Sequence, residues 1–180
     1  MNNSFIDKLH KAIDSIPIEE VKKFQELLLE NREKQIFVFG NGGSWALAQH
    51  FVADLGKLGF KIICIPSSIA ELTMWGNDEG YDTIFARPLQ NFLKPKDIII
   101  AISSSGNSPN IVKAVKHAKL LGGTVAGFSG FDKENTLNQF SDIKIHIPTE
   151  KGEYGIVETV HDAVLHLLVD KLKHDLYPLS

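Results

Sequence analysis

The residues best suited to chemistry in this chain gather at and after two short turns. The stretch Ala101–Asn110 runs AISSSGNSPN: apolar β-formers from Ile98 to Ile102 stop at Ser103-Ser104-Ser105-Gly106-Asn107-Ser108, and Pro109 opens a helical pattern. The first N–H groups of a helix have no intrahelical partner and carry a partial positive charge, so they favour an anion. Serine hydroxyls add donors without bulk, and Gly106 lets the backbone come close to a ligand. With four serines in six residues, the turn reads as a phosphate cradle without a fixed cation. The plainer alternative is a strand-to-helix loop whose serine merely caps the helix.

The other turn, Gly40-Asn41-Gly42-Gly43-Ser44, follows the apolar run Ile36-Phe37-Val38-Phe39. It begins like a dinucleotide fingerprint. Its third glycine position is Trp45, however, and the next strand ends Ile65-Pro66 rather than in an acid. No G-K-[ST] sequence completes a Walker loop. No nucleotide cofactor is therefore expected; glycines and a serine suit a small anionic or polyhydroxylated ligand.

His50 and Asp54 stand four apart, on one face of the helix that begins at this first turn. Their types fit a metal pair, an acid/base pair or a simple surface contact. The closing helix brings Glu158, His161 and His166 along a stretch with Val160, Val164, Leu165, Leu167 and Leu168. Glu158 and His161 are three apart and in reach of each other. Glu158 and His166 are separated by about 12 Å along a straight helix, too far to share one ion unless neighbouring chains or a helix break intervene.

The elements that must hold these groups alternate. Helical spacing covers Ser4–Ile16 and Ile18–Asn31, with Pro17 between them. Strands are expected at Ile36–Phe39, Lys61–Ile65, Asp97–Ile102, Thr124–Phe128 and Ile143–Ile147. Helices are expected at Ser44–Leu58, Ser68–Trp75, Tyr81–Leu93, Asn110–Leu121 and Glu153–Leu176, with Gly76-Asn77-Asp78-Glu79-Gly80 as a turn. Near-continuous apolar strands alternating with helices predict an α/β doubly wound sandwich: a five-stranded parallel sheet flanked by helices, with two N-terminal helices and a long C-terminal one. In such sheets ligands bind beyond the carboxyl ends of the strands, where both turns fall. At 180 residues, with 43% hydrophobic and 23% charged, the chain suits one soluble domain spanning 1–180. A net charge of −3 implies no nucleic-acid surface. No run approaches a membrane span, and the start lacks the order of a signal peptide, so a cytoplasmic location is expected. The single cysteine, Cys64, sits in an apolar strand and fits core packing in a reducing compartment.

The pair VFGNGGS (Val38–Ser44) and SSSGNSPN (Ser103–Asn110) resembles the sugar isomerase, or SIS, family. Ala48–Leu55 (AQHFVADL), Gly76-Asn77-Asp78, and Val157-Glu158 through His161 to His166 resemble its phosphoheptose isomerase branch. The resemblance implies interconversion of sedoheptulose 7-phosphate and D-glycero-D-manno-heptose 7-phosphate through an enediol(ate), on the way to cell-surface polysaccharide. It places the catalytic pair at Asp54 and His166. It implies phosphate contacts at Ser103, Ser104, Ser105 and Ser108, and sugar contacts at Asn41, Gly42, Gly43, Ser44, Asn77, Asp78 and Glu158. It implies zinc, one per subunit, held by His50, Asp54, Glu158 and His166, and a homotetramer in which helices within residues 1–32 take part in packing. The chain departs from the branch where Asp54 replaces the usual glutamate, Glu158 a glutamine, Gly155-Ile156 an Asp-Arg pair, and Trp45 a small residue. The family also implies two alternatives: a non-catalytic member that binds a partner, such as one that assists a replication initiator, and a sugar-phosphate sensor.

Overall fold

The computed structural model describes residues 4–177. The outermost positions of the expected 1–180 span, residues 1–3 and 178–180, lie outside the described residues. Five parallel strands, β1 (Gln35–Gly40), β2 (Lys61–Cys64), β3 (Ile98–Ser103), β4 (Thr124–Gly130) and β5 (Ile143–Ile147), lie in the order β2-β1-β3-β4-β5. Helices α1 (Ser4–Asp14) and α2 (Ile18–Glu30) precede the sheet, and α3 (Gly43–Lys57), α4 (Ile69–Asp78), α5 (Ala86–Phe92), α6 (Pro109–Leu120), α7 (Thr136–Phe140) and α8 (Tyr154–Leu176) follow in turn. This is the α/β sandwich expected.

Successive strand residues point to opposite faces, and both faces are dry across the central strands β1, β3 and β4. Ile36, Val38, Ile98, Ile100 and Ile102 pack with Phe51, Leu55, Val164 and Leu168, so α3 and α8 lie side by side on one face. Phe37, Phe39, Ile99 and Ala101 pack with Leu89, Ile111 and Val115, so α5 and α6 cover the other. The buried stripe of α8, including Val157, Val160, Val164, Leu165 and Leu168, fixes the rotation of that helix. Burying each such side chain contributes about 1.5–3 kcal/mol, so the helix cannot turn another face inward without large loss. Glu158, Asp162 and His166 are thereby aimed at α3.

After β1 the chain moves to β2 on one side, and from β3 it moves to β4 on the other. The sheet therefore switches direction between β1 and β3, whose register pairs Gly40 with Ile102. The two turns singled out above start next to each other at this switch point.

Three local expectations change. Helix α4 runs through Asp78, so Asn77 and Asp78 occupy its last turn rather than a free loop; the Glu79 N–H bonds to the Trp75 carbonyl and closes it. The stretch expected as one helix from Tyr81 to Leu93 is a 3-10 turn at Tyr81–Thr83 followed by α5, where Pro88 is tolerated in the first turn. Helix α7, only five residues long, is too short to leave a 3.6-residue pattern. It is capped by Asn135, whose side chain accepts from the Asn138 N–H at 2.9 Å.

Candidate active site

A cavity of about 110 Å³ lies at the switch point, lined by Asn41, Ser44, Ser103, Ser104, Ser105, Ser108, Tyr154 and Glu158 together with Ile102. Neither helix that begins there has a side-chain bond from its cap residue. Gly42 precedes α3 with φ of 55° and offers no side-chain cap. Ser108 occupies the cap position of α6, yet its hydroxyl makes no capping bond; it lies 3.5 Å from the Ser103 hydroxyl instead. The simple capping reading of the serines therefore fails, and their hydroxyls face the cavity; Pro109 has no N–H and the Ile111 N–H bonds to Asn110 Oδ1 at 2.9 Å, which leaves the Asn110 N–H in the first turn of α6. Its volume is well below the roughly 300 Å³ of a drug-sized pocket, which suits a phosphate group and not a dinucleotide. Hollows of about 610 and 640 Å³ lie elsewhere, the first against Gln35, Lys61 and Asp97 at the amino ends of the strands, away from the switch point.

The serine turn is braced from outside. The Gly106 N–H bonds to the Ser103 carbonyl at 2.9 Å, and Gly130 N–H to the Ser104 carbonyl at 2.9 Å. Helix α7 clamps the far side, with Leu137 N–H on the Gly106 carbonyl at 2.9 Å and Thr136 N–H on Asn107 Oδ1 at 3.0 Å. Gly106 has φ of +63°, and a Cβ there would meet Asn135 Oδ1 at 2.0 Å. The first turn is held by Asn41, which exchanges two amide hydrogen bonds with Asn110 at 2.9 and 3.0 Å and accepts from the Tyr81 hydroxyl at 3.1 Å.

Beyond the cavity, α3 and α8 run alongside each other with a polar seam between them. Glu158 meets the start of α3: a Cβ on Gly43 would lie 2.4 Å from its Oε2. One turn further along α8, Asp162 Oδ1 lies 2.9 Å from His50 Nδ1. Asp162 Oδ2 is 3.8 Å from His166 Nε2. On the opposite edges of the two imidazoles, Asp54 Oδ2 is 3.4 Å from His50 Nε2 and 4.0 Å from His166 Nδ1. Two imidazoles and two carboxylates thus alternate in a ring, with the His50 and His166 centroids 5.0 Å apart.

The SIS domain family profile matches residues 5–130. Phosphoheptose isomerase of Mycobacterium bovis is 36% identical over 149 residues, covering 79% of this chain and 74% of the relative. Phosphoheptose isomerase of Helicobacter pylori is 33% identical over 172 residues, 91% of this chain and 88% of the relative. Among solved structures, phosphoheptose isomerase from Neisseria gonorrhoeae superposes with a TM-score of 0.85 at 26% identity, covering 95% of each chain. The chain belongs to the SIS domain family. Within it the chain stands in the phosphoheptose isomerase branch, and it is an isomerase by class.

This SIS chain brings together most of the positions singled out in the sequence, in two groups. Asn41, Ser44, the four serines and Glu158 line the cavity, and Gly42 and Gly43 join Asn41 to Ser44 at the start of α3 without lining it. His50, Asp54 and His166 meet in the ring. Glu158 does not join that ring within one chain; it belongs to the cavity. Asn77 and Asp78 are exposed, bonded to each other at 2.8 Å, and do not line the cavity. Trp45 turns away from the cavity and stacks on Phe85 at 6.3 Å. His161 does not meet Glu158: it is fully buried on the sheet side of α8, its Nε2–H donating to the Ser129 carbonyl at 3.1 Å. Burial pushes the Cys64 thiol up to about 12, which removes it as a nucleophile near neutral pH.

Asp162, Tyr81, Asn110 and Tyr154 were not among the sequence candidates. Asp162 carried a usable signal, since it stands four residues from both Glu158 and His166. The other three reach the site through tertiary contacts that no local spacing encodes. The imidazole and carboxylate donors of the ring are of the types zinc takes, so the residues present fit that ion.

Proposed function

We propose that the chain interconverts sedoheptulose 7-phosphate and D-glycero-D-manno-heptose 7-phosphate. The observation that carries this reading is the uncapped serine cavity opening onto the seam that leads to the His/Asp ring. The phosphate binds the serine hydroxyls and the Asn110 N–H at the start of α6. The sugar then runs along the seam past Glu158, whose carboxylate accepts from hydroxyls. An extended chain of single bonds advances about 1.2 Å per bond, so the eight bonds from phosphorus to C1 of a heptulose 7-phosphate reach about 10 Å. Glu158 and His166 are separated by about 12 Å along α8, a span of the same order, which supports carbons 1 and 2 lying beside the ring. A pentose phosphate, two bonds shorter, stops about 2–3 Å earlier.

Isomerisation moves one proton between adjacent carbons. Asp54, an acceptor when ionised and only 18% exposed, takes the proton from C1 of the ketose, and an enediolate forms across C1 and C2. The same proton, or one exchanged with it, returns to C2. His166 has a nitrogen on each side of its ring and moves protons between the C1 and C2 oxygens. Within one chain His50, Asp54 and His166 would hold a zinc ion, which when bound would supply a Lewis acid for the carbonyl oxygen.

The exposed apolar side chains of α1, Phe5, Ile6 and Ile13, support packing of the N-terminal helices (residues 1–32) in a homo-oligomer, a tetramer on the family pattern. Incubating the full chain with sedoheptulose 7-phosphate and following new aldose phosphate by NMR tests the reading. Turnover is expected in the wild type and its loss in Asp54→Asn and His166→Ala. Tight phosphate binding without turnover points to another sugar phosphate, and no binding at all favours a partner-binding member of the family.

A further inference from the structure

We propose that Tyr154 is a further phosphate-binding residue of this chain, its hydroxyl donating to the phosphate group held by the serine turn. The cavity of about 110 Å³ is lined by no lysine or arginine, so an anion bound there must be met by neutral donors. The two turns supply most of them. Of the lining side chains outside those turns, Ile102 has no polar atom and Glu158 is an acceptor when ionised; Tyr154 alone carries a donor. Asn41 is already engaged, its amide exchanging two bonds with Asn110. Tyr154 is half-exposed, so its hydroxyl stays within reach of a ligand arriving from water.

The place of Tyr154 in the helix gives it the phosphate end of the site. It opens α8, one turn and about 6 Å before Glu158, on the side away from His166. Positions four apart share a helix face, and both residues line the same cavity. The order along α8 is then Tyr154 for the phosphate, Glu158 for sugar hydroxyls and His166 for the reacting carbons. The start of this helix is held firmly. Glu153, just before Tyr154, pairs with Lys8 of α1. A Cβ on Gly130 would lie 2.6 Å from Val157 Cγ2, so the end of β4 approaches the first turn of α8 because that residue is glycine. The Gly130 N–H bonds to the Ser104 carbonyl at 2.9 Å, which ties the serine turn and the start of α8 to one strand end. Phe131 follows with φ of 57°, a left-handed conformation that is uncommon for a bulky side chain. There its ring meets Tyr154 edge-on, with centroids 5.0 Å apart and planes 80° apart. Phe131 lines the hollow of about 640 Å³ and Tyr154 the small cavity, so the two rings stand between them. A strained residue that braces a ligand-facing ring is the kind of local cost found at binding sites. A ring held in advance loses less freedom when its hydroxyl engages the phosphate.

The inference rests on the sugar-phosphate reading of the cavity, and the two fail separately because its test uses inorganic phosphate as the probe. Phosphate is titrated by calorimetry into the full-length wild type and its Tyr154→Phe, Tyr154→Ala and Ser105→Ala variants, with thermal melting as the check on folding. Tyr154→Phe keeps the ring and its contact with Phe131 and removes only the hydroxyl. Loss of one hydrogen bond to a charged group should weaken phosphate binding by about 10–100-fold. Tyr154→Ala is expected to lose at least as much, and decides the matter should Tyr154→Phe melt early. With sedoheptulose 7-phosphate, a phosphate contact made equally in the ground and transition states raises KM by the same factor and leaves kcat within about twofold. A merely structural role for the ring would spare Tyr154→Phe. Full phosphate affinity in Tyr154→Phe overturns the proposal; if Ser105→Ala loses affinity in the same experiment, the serine cradle stands without Tyr154. A fall in kcat at unchanged KM also overturns it. Wild-type protein that binds no phosphate overturns the proposal and the cradle together.

Discussion

His161 should make this protein acid-sensitive in a defined window. It is fully buried, with Phe128 5.5 Å away edge-on, and its Nδ1 has no partner among the described residues. Desolvation pushes its pKa from the ordinary 6.5 down to about 4; the neighbouring His146 adds to the lowering, and the bond to the Ser129 carbonyl opposes it. The folded state therefore binds fewer protons than the unfolded chain between these values. Stability is fully present above pH 6.5, falls as pH drops through the window, and levels off below about 4. A difference of this size, at about 1.4 kcal/mol per pH unit, is on the order of 3 kcal/mol. That is a large share of the roughly 5–15 kcal/mol that holds a domain together. His161→Gln keeps a donor for the Ser129 carbonyl but does not titrate. Urea unfolding of both proteins at several pH values from 7.5 to 4, with the wild-type carboxylate effects cancelling in the difference, isolates the histidine. The wild type should lose about 3 kcal/mol relative to the variant across that range. Parallel pH profiles, or an NMR titration that finds His161 protonating near pH 6.5, would refute the reasoning.

Gly43→Ala places a Cβ 2.4 Å from Glu158 Oε2, the free end of a flexible side chain, so the carboxylate should swing out while the fold persists. Melting temperature is expected to hold and kcat/KM to fall about 10–100-fold, the worth of one hydrogen bond to a charged group; unchanged kinetics would remove Glu158 from the sugar site. Gly106→Ala combines a positive φ with a Cβ 2.0 Å from the buried cap Asn135, and denaturation should show a loss of about 2–4 kcal/mol, from left-handed strain plus a lost cap. Ser105→Ala removes one cavity hydroxyl and is expected to weaken sugar-phosphate binding by about tenfold in calorimetry, near the 1.5 kcal/mol of one charge-assisted bond; full affinity would argue against the serine cradle.

The alternation of apolar strands with helices was enough to foretell the sheet, because strands buried on both faces leave unbroken runs such as Ile98–Ile102. The serine and glycine turns were legible for a related reason: a ligand-facing turn needs residue types that a packed turn does not. His50 and Asp54 were paired by helical spacing alone, and the i, i+4 rule delivered them together. Spacing along one helix did not say which way that helix faces. It put Glu158 within reach of His161 and about 12 Å from His166, and tertiary packing gave each of the three its own surroundings. The apolar stripe of α8 buried His161 against the sheet, sent Glu158 to the serine cavity, and turned Asp162 and His166 toward α3. The five-residue α7 that braces the serine turn was invisible for want of a period, and the Asn41–Asn110 bond joins residues 69 positions apart. Local residue types and spacing thus determined the elements and the chemistry on offer. The docking of α8 beside α3 decided which groups meet, because burial of an apolar stripe, summed over several side chains, outweighs any single polar contact in setting a helix's rotation.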